Sequence, residues 1–387
     1  MDKKLNDPNS SNHGKPLFPK LKYCTRCCLP DTNENIDFDD FGVCKACRAS
    51  EQKMHIDWEA RQKILASTLN SYKQKAPDYY DCMVPISGGK DSIFQLHVLK
   101  KVYGMNPLAV TFSHNWFTEI GKQNLQTSIE KLDVDHIMFT PKRSLINRVA
   151  RESLKKIGDA CWHCHTGVET FPFQVAVKWN IPLMVYGESL AEFSGKETYD
   201  EMRDLDPEHF LKYSARVRPE DMVCETIKKK EMGAFIKPSL KEIKKIGIRR
   251  IFLGDYMFWD LEKQTELVIK EYGWKEEKVD GSYKRYKSVE CKMPGVHDYA
   301  KFIKRGFGRG TDFAAQDIRA GLLTREEGFE LAKLHDQKRP EALDYYLKIT
   351  GYTEEEFLQI LTKQRQGNAK KLPKIHKVGE NLENKED

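Results

Sequence analysis

Short apolar runs alternate with amphipathic stretches through the middle of the chain. Strands are predicted at 81–86, Leu108-Ala109-Val110-Thr111-Phe112, His136-Ile137-Met138-Phe139, Pro182-Leu183-Met184-Val185-Tyr186 and Arg250-Ile251-Phe252-Leu253, with helical patterns between them. That alternation predicts an α/β fold, a doubly wound parallel sheet with helices on both faces. Pro85 lies in the first run, where it fits a central strand only at the end, because it cannot donate to the ladder. Upstream, 56–76 reads as a connecting helix. From about 290 the pattern is helical, and Thr324-Arg325-Glu326-Glu327 and Thr353-Glu354-Glu355-Glu356 each spell a capping box. The polar residues 1–20 are predicted to be a disordered leader, and the charged residues 364–387 a disordered tail.

In an open parallel sheet, ligands collect at the carboxyl ends of the strands. The candidates there are Ser87 to Ser92, Ser113-His114-Asn115, Gly187-Glu188 and Gly254-Asp255. The first, Ser87-Gly88-Gly89-Lys90-Asp91-Ser92, follows an apolar strand and opens a helix. Its glycines allow positive φ and close backbone approach, and the helix start presents N–H groups to an anion. Lys90 adds a charge, and Ser87 and Ser92 add hydroxyls. Asp91 would repel a bare phosphate, so it predicts a Mg²⁺ ion between carboxylate and phosphate. The kinase-type G-x-x-x-x-G-K-[ST] spacing is absent. The string resembles the pyrophosphate loop of the ATP pyrophosphatase (PP-loop) superfamily, whose members split ATP between the α and β phosphates.

Ten cysteines sharpen the picture. Cys24-x-x-Cys27 and Cys44-x-x-Cys47 sit sixteen residues apart, the spacing of a Cys₄ zinc ribbon with a structural zinc, although Cys28 competes with Cys27 for the second position. Cys161-Trp162-His163-Cys164-His165 offers two ligands for a second metal, with Cys291 or Cys224 as a distant third; packing around Trp162 explains the pair equally. Cys82 reads as buried in its strand. The predicted division is a leader (1–20), zinc ribbon (21–52), connecting helix (53–77), ATP pyrophosphatase domain (78–288), helical region (289–363) and tail (364–387).

Charge changes little: 64 basic against 58 acidic residues give +6, compatible with nucleotides or RNA. No apolar run approaches the ~20 residues of a membrane span. Met1 to Pro19 has no signal-peptide core, so a cytoplasmic location is expected. The segment His297 to Gly310 mixes cations, aromatics and glycines. It reads as a loop gripping phosphate or carboxylate, or alternatively as a helix ending at glycine caps.

Together, Tyr23-Cys24-Thr25-Arg26-Cys27, the Ser87–Ser92 string, Cys161 to Gly167, Tyr186-Gly187-Glu188 and Gly295 to Arg309 resemble the N-acetyl sugar amidotransferase family of bacterial surface-polysaccharide (LPS O-antigen) and nonulosonic-acid synthesis. The resemblance spans about Tyr23 to Gly351. It implies that ATP adenylylates an acetamido oxygen of a sugar, on a nucleotide carrier or free, and that ammonia then displaces AMP to leave an acetamidino group. It implies ammonia from a separate glutaminase, conducted by a barrel-shaped cyclase-like subunit. Asp2 after the initiator Met1, and the lack of a G-x-C-x-G elbow, fit that dependence. Neither a membrane nor a nucleic acid is an expected partner. Lys90, Asp91 and Ser92 are the expected catalytic residues, and Ser87 to Ser92 the pyrophosphate site. Backbone at Thr111, Phe112 and Ser113 is assigned to adenine, and Gly187, Glu188 and Asp255 to ATP, Mg²⁺ or substrate positioning. His297, Lys304, Arg305 and Arg309 are assigned to the sugar's phosphate or carboxylate. The enzyme alternative is a tRNA thiolation enzyme with an iron–sulfur cluster at Cys161, Cys164 and Cys291; the non-enzyme alternative is a zinc-ribbon nucleic-acid adaptor.

Overall fold

The computed structural model describes residues 12–33, 36–75, 79–193, 199 and 216–383. Two helices, α1 (Lys45–Lys53) and α2 (Trp58–Lys75), precede the sheet. Then come β1 (Cys82–Pro85), α3 (Lys90–His97), β2 (Pro107–Phe112), α4 (Glu119–Leu132), β3 (His136–Phe139), α5 (Arg143–Ile157), α6 (Trp162–Lys178) and β4 (Leu183–Tyr186). After α7 (Leu240–Ile246), β5 (Arg249–Phe252) and α8 (Leu261–Tyr272) the chain is helical: α9 (Pro294–Arg305), α10 (Arg309–Arg319), α11 (Arg325–Asp336), α12 (Leu343–Thr350) and α13 (Glu354–Lys363).

The five strands are all parallel, in the order β3-β2-β1-β4-β5. β1 is central, and Pro85 is its last residue, paired with Val110. Successive residues of a strand face opposite ways. Cys82 and Val84 pack with Leu65, Ile93 and Val268 on one face, and Met83 packs with Phe173 and Ile243 on the other. Both faces are covered, as a doubly wound sheet requires. Gly167 lets α6 press onto β2, because a Cβ there would lie 2.2 Å from a Phe112 ring carbon. The capping boxes at Thr324 and Thr353 form as read, each hydroxyl accepting from the N–H three residues on.

The two disordered ends are corrections. Residues 364–383 fold back onto the C-terminal helices, with Leu372, Ile375, Val378 and Leu382 buried beside Phe302 and Phe357. Each such side chain contributes about 1.5–3 kcal/mol on burial. Arg365 anchors the turn by donating to the Ile303, Leu372 and Pro373 carbonyls. Charge counting hid a repeat of apolar positions every three or four residues. At the other end Phe18 packs on Phe302, and the Gly14 N–H donates to Glu330 at 2.7 Å. Residues 1–11 and 384–387 lie outside the described residues. Among the described residues no helix is long and apolar enough to cross a membrane.

The paired-cysteine module is not an isolated body. Its four thiols share an apolar cluster with Phe307, Ala314, Ala315 and Phe329 of the C-terminal helices. Arg325 also donates to the Cys24 and Cys27 carbonyls.

Candidate active site

The Ser87–Ser92 loop turns sharply out of β1. Gly88 takes φ +84°, and a Cβ there would meet the Gly121 carbonyl at 2.9 Å, so only glycine fits. The loop is held from within: Ser92 Oγ donates to the Gly89 carbonyl at 2.8 Å, and the Gly89 N–H donates to Ser87 Oγ at 3.3 Å. It is held from outside by Trp274, whose indole N–H donates to the Gly88 carbonyl at 2.9 Å. Gly89 is the N-cap of α3, and no side chain caps that helix start.

Lys90 and Asp91 enter the first turn as an ion pair at 2.5 Å. Lys90 is buried, not surface-exposed, and burial pulls its pKa down. Burial works to raise the Asp91 carboxyl, but Lys287 and Lys90 outweigh it and hold the acid low. Lys287 Nζ lies 3.8 Å from Asp91. Glu290 completes the roof: its Oε1 accepts from Ser87 Oγ at 3.5 Å, while Oε2 is buried without a partner among the described residues. Burial pushes the Glu290 carboxyl up. Residues 286–290 are locked over the loop by Thr118, whose N–H and hydroxyl donate to the Glu290 and Val289 carbonyls. Gly121 gives them room, since a Cβ there would strike Glu290 Cα at 2.4 Å. Sequence reading missed Lys287 and Glu290; only their place just before the Gly295–Arg309 segment hinted at them.

Glu188, at the end of β4, is brought to the same locus. Burial raises its carboxyl, opposed by Lys287. Gly187 is needed for packing: a Cβ would sit 2.3 Å from Gln95 Nε2. Asp255 accepts from Ser189 Oγ at 2.5 Å, and burial lifts its pKa to about 6. A cavity of about 620 Å³ beside these residues is lined by Glu188, Glu192, Trp259, Glu262 and Tyr286. Lys90 Nζ lies 5.4 Å from the Tyr286 ring centre. Thr111, Phe112 and Ser113 are buried, and the Ser113 N–H is spent on the Phe139 carbonyl.

The basic glycine segment follows the second of its two readings, a helix ending at a glycine cap, and is not a ligand-gripping loop. It is two helices joined at Gly306, an αL cap ending α9. Gly308 and Gly310 do approach an anion closely, but it is Asp336, whose oxygens accept both N–H groups at 2.8 and 2.7 Å and Thr311 Oγ1 at 2.6 Å. Arg309 is likewise committed, to Asp298 and Ser288. The four expected substrate residues separate accordingly. His297, Lys304 and Arg305 line one cavity of about 400 Å³ together with Asp159, His165 and Arg216; Arg309 lines another.

The cysteine expectations also divide. Cys24, Cys27, Cys44 and Cys47 are buried with ligand atoms within 4.8 Å of one another. The Cys24–Cys47 and Cys27–Cys44 sulfurs are 3.8 Å apart, as on a tetrahedral ion with ~2.3 Å bonds. Cys28 turns away and donates to the Thr311 carbonyl, which settles the ambiguity at Cys27. Cys161, Cys164 and Cys291 do not converge on a single-ion site: among the described residues the other such group is Asp159, His165 and His297. Cys161 begins α6, Cys164 lies in its first turn, and Cys291 follows Glu290. Burial pushes the Cys291 thiol up to about 12. Cys224, the alternative third ligand, is tied to Thr226 at 3.3 Å.

Three similarities to known proteins are found. An uncharacterized protein of Methanocaldococcus jannaschii is 21% identical over 334 residues, 85% of this chain and 98% of that protein. The NMN synthetase structure from Francisella tularensis aligns with 56% of this chain and 94% of its own, at 14% identity and a TM-score of 0.28. Residues 280–375 match the family described as LPS biosynthesis protein WbpG-like, C-terminal domain, and that span supplies Lys287, Glu290, Asp298 and Asp336. Over residues 280–375 the chain is therefore similar to the C-terminal domain of the WbpG-like LPS biosynthesis proteins.

Proposed function

We propose that the protein is an ATP-dependent, AMP-forming amidotransferase that converts an acetamido group of a sugar to acetamidino in LPS-type glycan synthesis. The observation that carries this is the glycine loop Ser87–Ser92 at the end of the central strand, with Lys90 and Asp91 in its helix turn and Lys287 and Glu290 above it. In this reading the acetamido oxygen attacks the α-phosphate, the α–β bridge breaks and pyrophosphate leaves. Ammonia then adds to the imidate carbon, and AMP departs with the former acetamido oxygen. Pyrophosphate lies on the loop amides, with Lys90 and Lys287 facing its developing charge. The same contacts hold the α-phosphate in line for attack.

Mg²⁺ fits this donor set, because Glu290 Oε2 is buried without a partner among the described residues and the carboxylates Asp91 and Glu188 stand around the same lysines. Bound there, the ion would neutralise the phosphate oxygens next to Asp91. The 620 Å³ cavity, with the exposed Phe258 and several carboxylates, suits a sugar: an aromatic face for its C–H surface and acceptors for its hydroxyls. Ammonia comes from a separate glutaminase through a barrel-shaped partner. Cys24, Cys27, Cys44 and Cys47 hold a structural zinc; Cys44→Ser should lose it and lower the melting temperature, and unchanged metal content would refute the site.

The test is product mass spectrometry. The protein is incubated with ATP, Mg²⁺, ammonium and a panel of acetamido nucleotide sugars and nonulosonic acids. AMP release with one oxygen replaced by NH in a sugar supports the reading. Ammonium-independent sulfur transfer to tRNA would replace it with the thiolation alternative.

A further inference from the structure

We propose that Asp159, His165 and His297 bind a divalent transition-metal ion at the floor of the basic cavity beneath α9. Asp159, in the turn after α5, and His165, in the first turn of α6, are neighbours along the chain, and His297 joins them from the first turn of α9, far away in sequence. One ligand atom from each falls within 4.8 Å of the others. His165 Nδ1 is 3.0 Å from Asp159 Oδ2, and the two imidazole rings meet edge to face with centroids 5.1 Å apart.

Two features separate this cluster from a simple Asp–His pair. First, His297 Nδ1 lies 3.1 Å from Asp298 Oδ1, and Asp298 is fixed in turn by Arg309. Nδ1–H donating to a carboxylate fixes the ring and turns Nε2 outward as a lone-pair donor, as in metal-bound histidines. Second, Asp159 is aimed by the Cys161 N–H, which donates to its Oδ1 at 2.7 Å and leaves Oδ2 toward the histidines. Two nitrogens and one carboxylate oxygen suit zinc, iron(II), cobalt or nickel better than magnesium or calcium.

The cavity is open, with both histidine side chains about one-third exposed, so an ion can enter. Lys304, Arg305 and Arg216 line the same space and oppose a bare dication. The remaining coordination positions therefore go to anionic oxygens, and the ion and an anionic ligand bind together. The proposal is independent of the ATP reaction.

Cobalt(II) chloride titration of the full-length protein, freed of metal by chelation, tests it. Bound cobalt is counted per chain, and the near-ultraviolet thiolate charge-transfer band reports the four-cysteine site separately. Wild type should bind one cobalt beyond any that produces that band. His165→Ala and His297→Ala should each bind one fewer than wild type, with the band and the far-ultraviolet circular dichroism unchanged. His297→Gln, at a partly exposed position, gives the same readout should an alanine variant misfold. Wild type with no cobalt beyond the thiolate-bound ion, or variants with wild-type stoichiometry, would overturn the site and leave an Asp–His pair only.

Discussion

The Ser87–Ser92 loop and the Gly306–Thr311 turn share a local grammar: glycines, a cation and the start of a helix, which together attract an anion. They differ in how that attraction is met. At Gly308 and Gly310 the chain brings its own anion, Asp336, already engaged by two N–H groups and a hydroxyl. Above Ser87 and Gly89 stands Glu290, with one long contact and an oxygen that has no partner among the described residues. The Gly306–Thr311 turn is a finished structural joint. The Ser87–Ser92 loop is unfinished, with room for an outside ligand or ion: buried polar groups left unmatched are costly unless something completes them. The C-terminal domain contributes to both, which ties its packing to the loop it roofs.

The comparison can be broken most directly at Lys90. Lys90→Gln should lower AMP formation about 10²- to 10³-fold, as expected for losing one preorganised donor to developing charge. Wild-type rates in a steady-state AMP assay would remove the loop from catalysis. The opposite result is expected at the other turn. Asp336→Ala leaves buried N–H donors unmatched, at about 1–3 kcal/mol each. A stability loss of about 2–4 kcal/mol in urea unfolding is expected, and no loss would mean Asp336 does not complete the turn.

Glu290→Gln sharpens the contrast. It keeps the shape but removes the charge, so the Mg²⁺ concentration for half-maximal rate should rise about tenfold while the melting temperature holds or rises. An unchanged Mg²⁺ dependence would show that Glu290 only packs. The smallest effect is on pH. Burial raises Asp336 from 3.8 to about 6 in the folded protein, so the fold favours its protonated form. Its contribution to stability is full below 3.8 and is lost as pH rises through about 6. Asp336→Asn should flatten the melting profile across that window; a profile parallel to wild type would assign the dependence elsewhere.

Much of this could be read from residues alone. The five apolar runs became the five strands; β1, β2 and β4 are buried almost throughout and leave a nearly unbroken hydrophobic record, while the edge strands β3 and β5 keep a shorter one. The two C-x-x-C pairs met: local spacing brings two sulfurs together within each pair, and a shared apolar cluster with the C-terminal helices holds both pairs. What escaped was long-range. Lys287 and Glu290 are ordinary charged residues until Gly121 and Thr118 dock their segment over the loop. Asp336 reaches Gly308 only through the packing of α11 on α10. The tail misled because its charged residues outnumber the few spaced apolar residues that bind it to the core.

Phosphorus-31 NMR of ATP turned over by the protein, with Mg²⁺, ammonium and the acetamido sugar panel, tests the central claim most directly, because it identifies the bond that breaks. The account predicts AMP and pyrophosphate in equal amounts with wild type and neither with Lys90→Gln. ADP and phosphate, or AMP formation that survives Lys90→Gln, would contradict it.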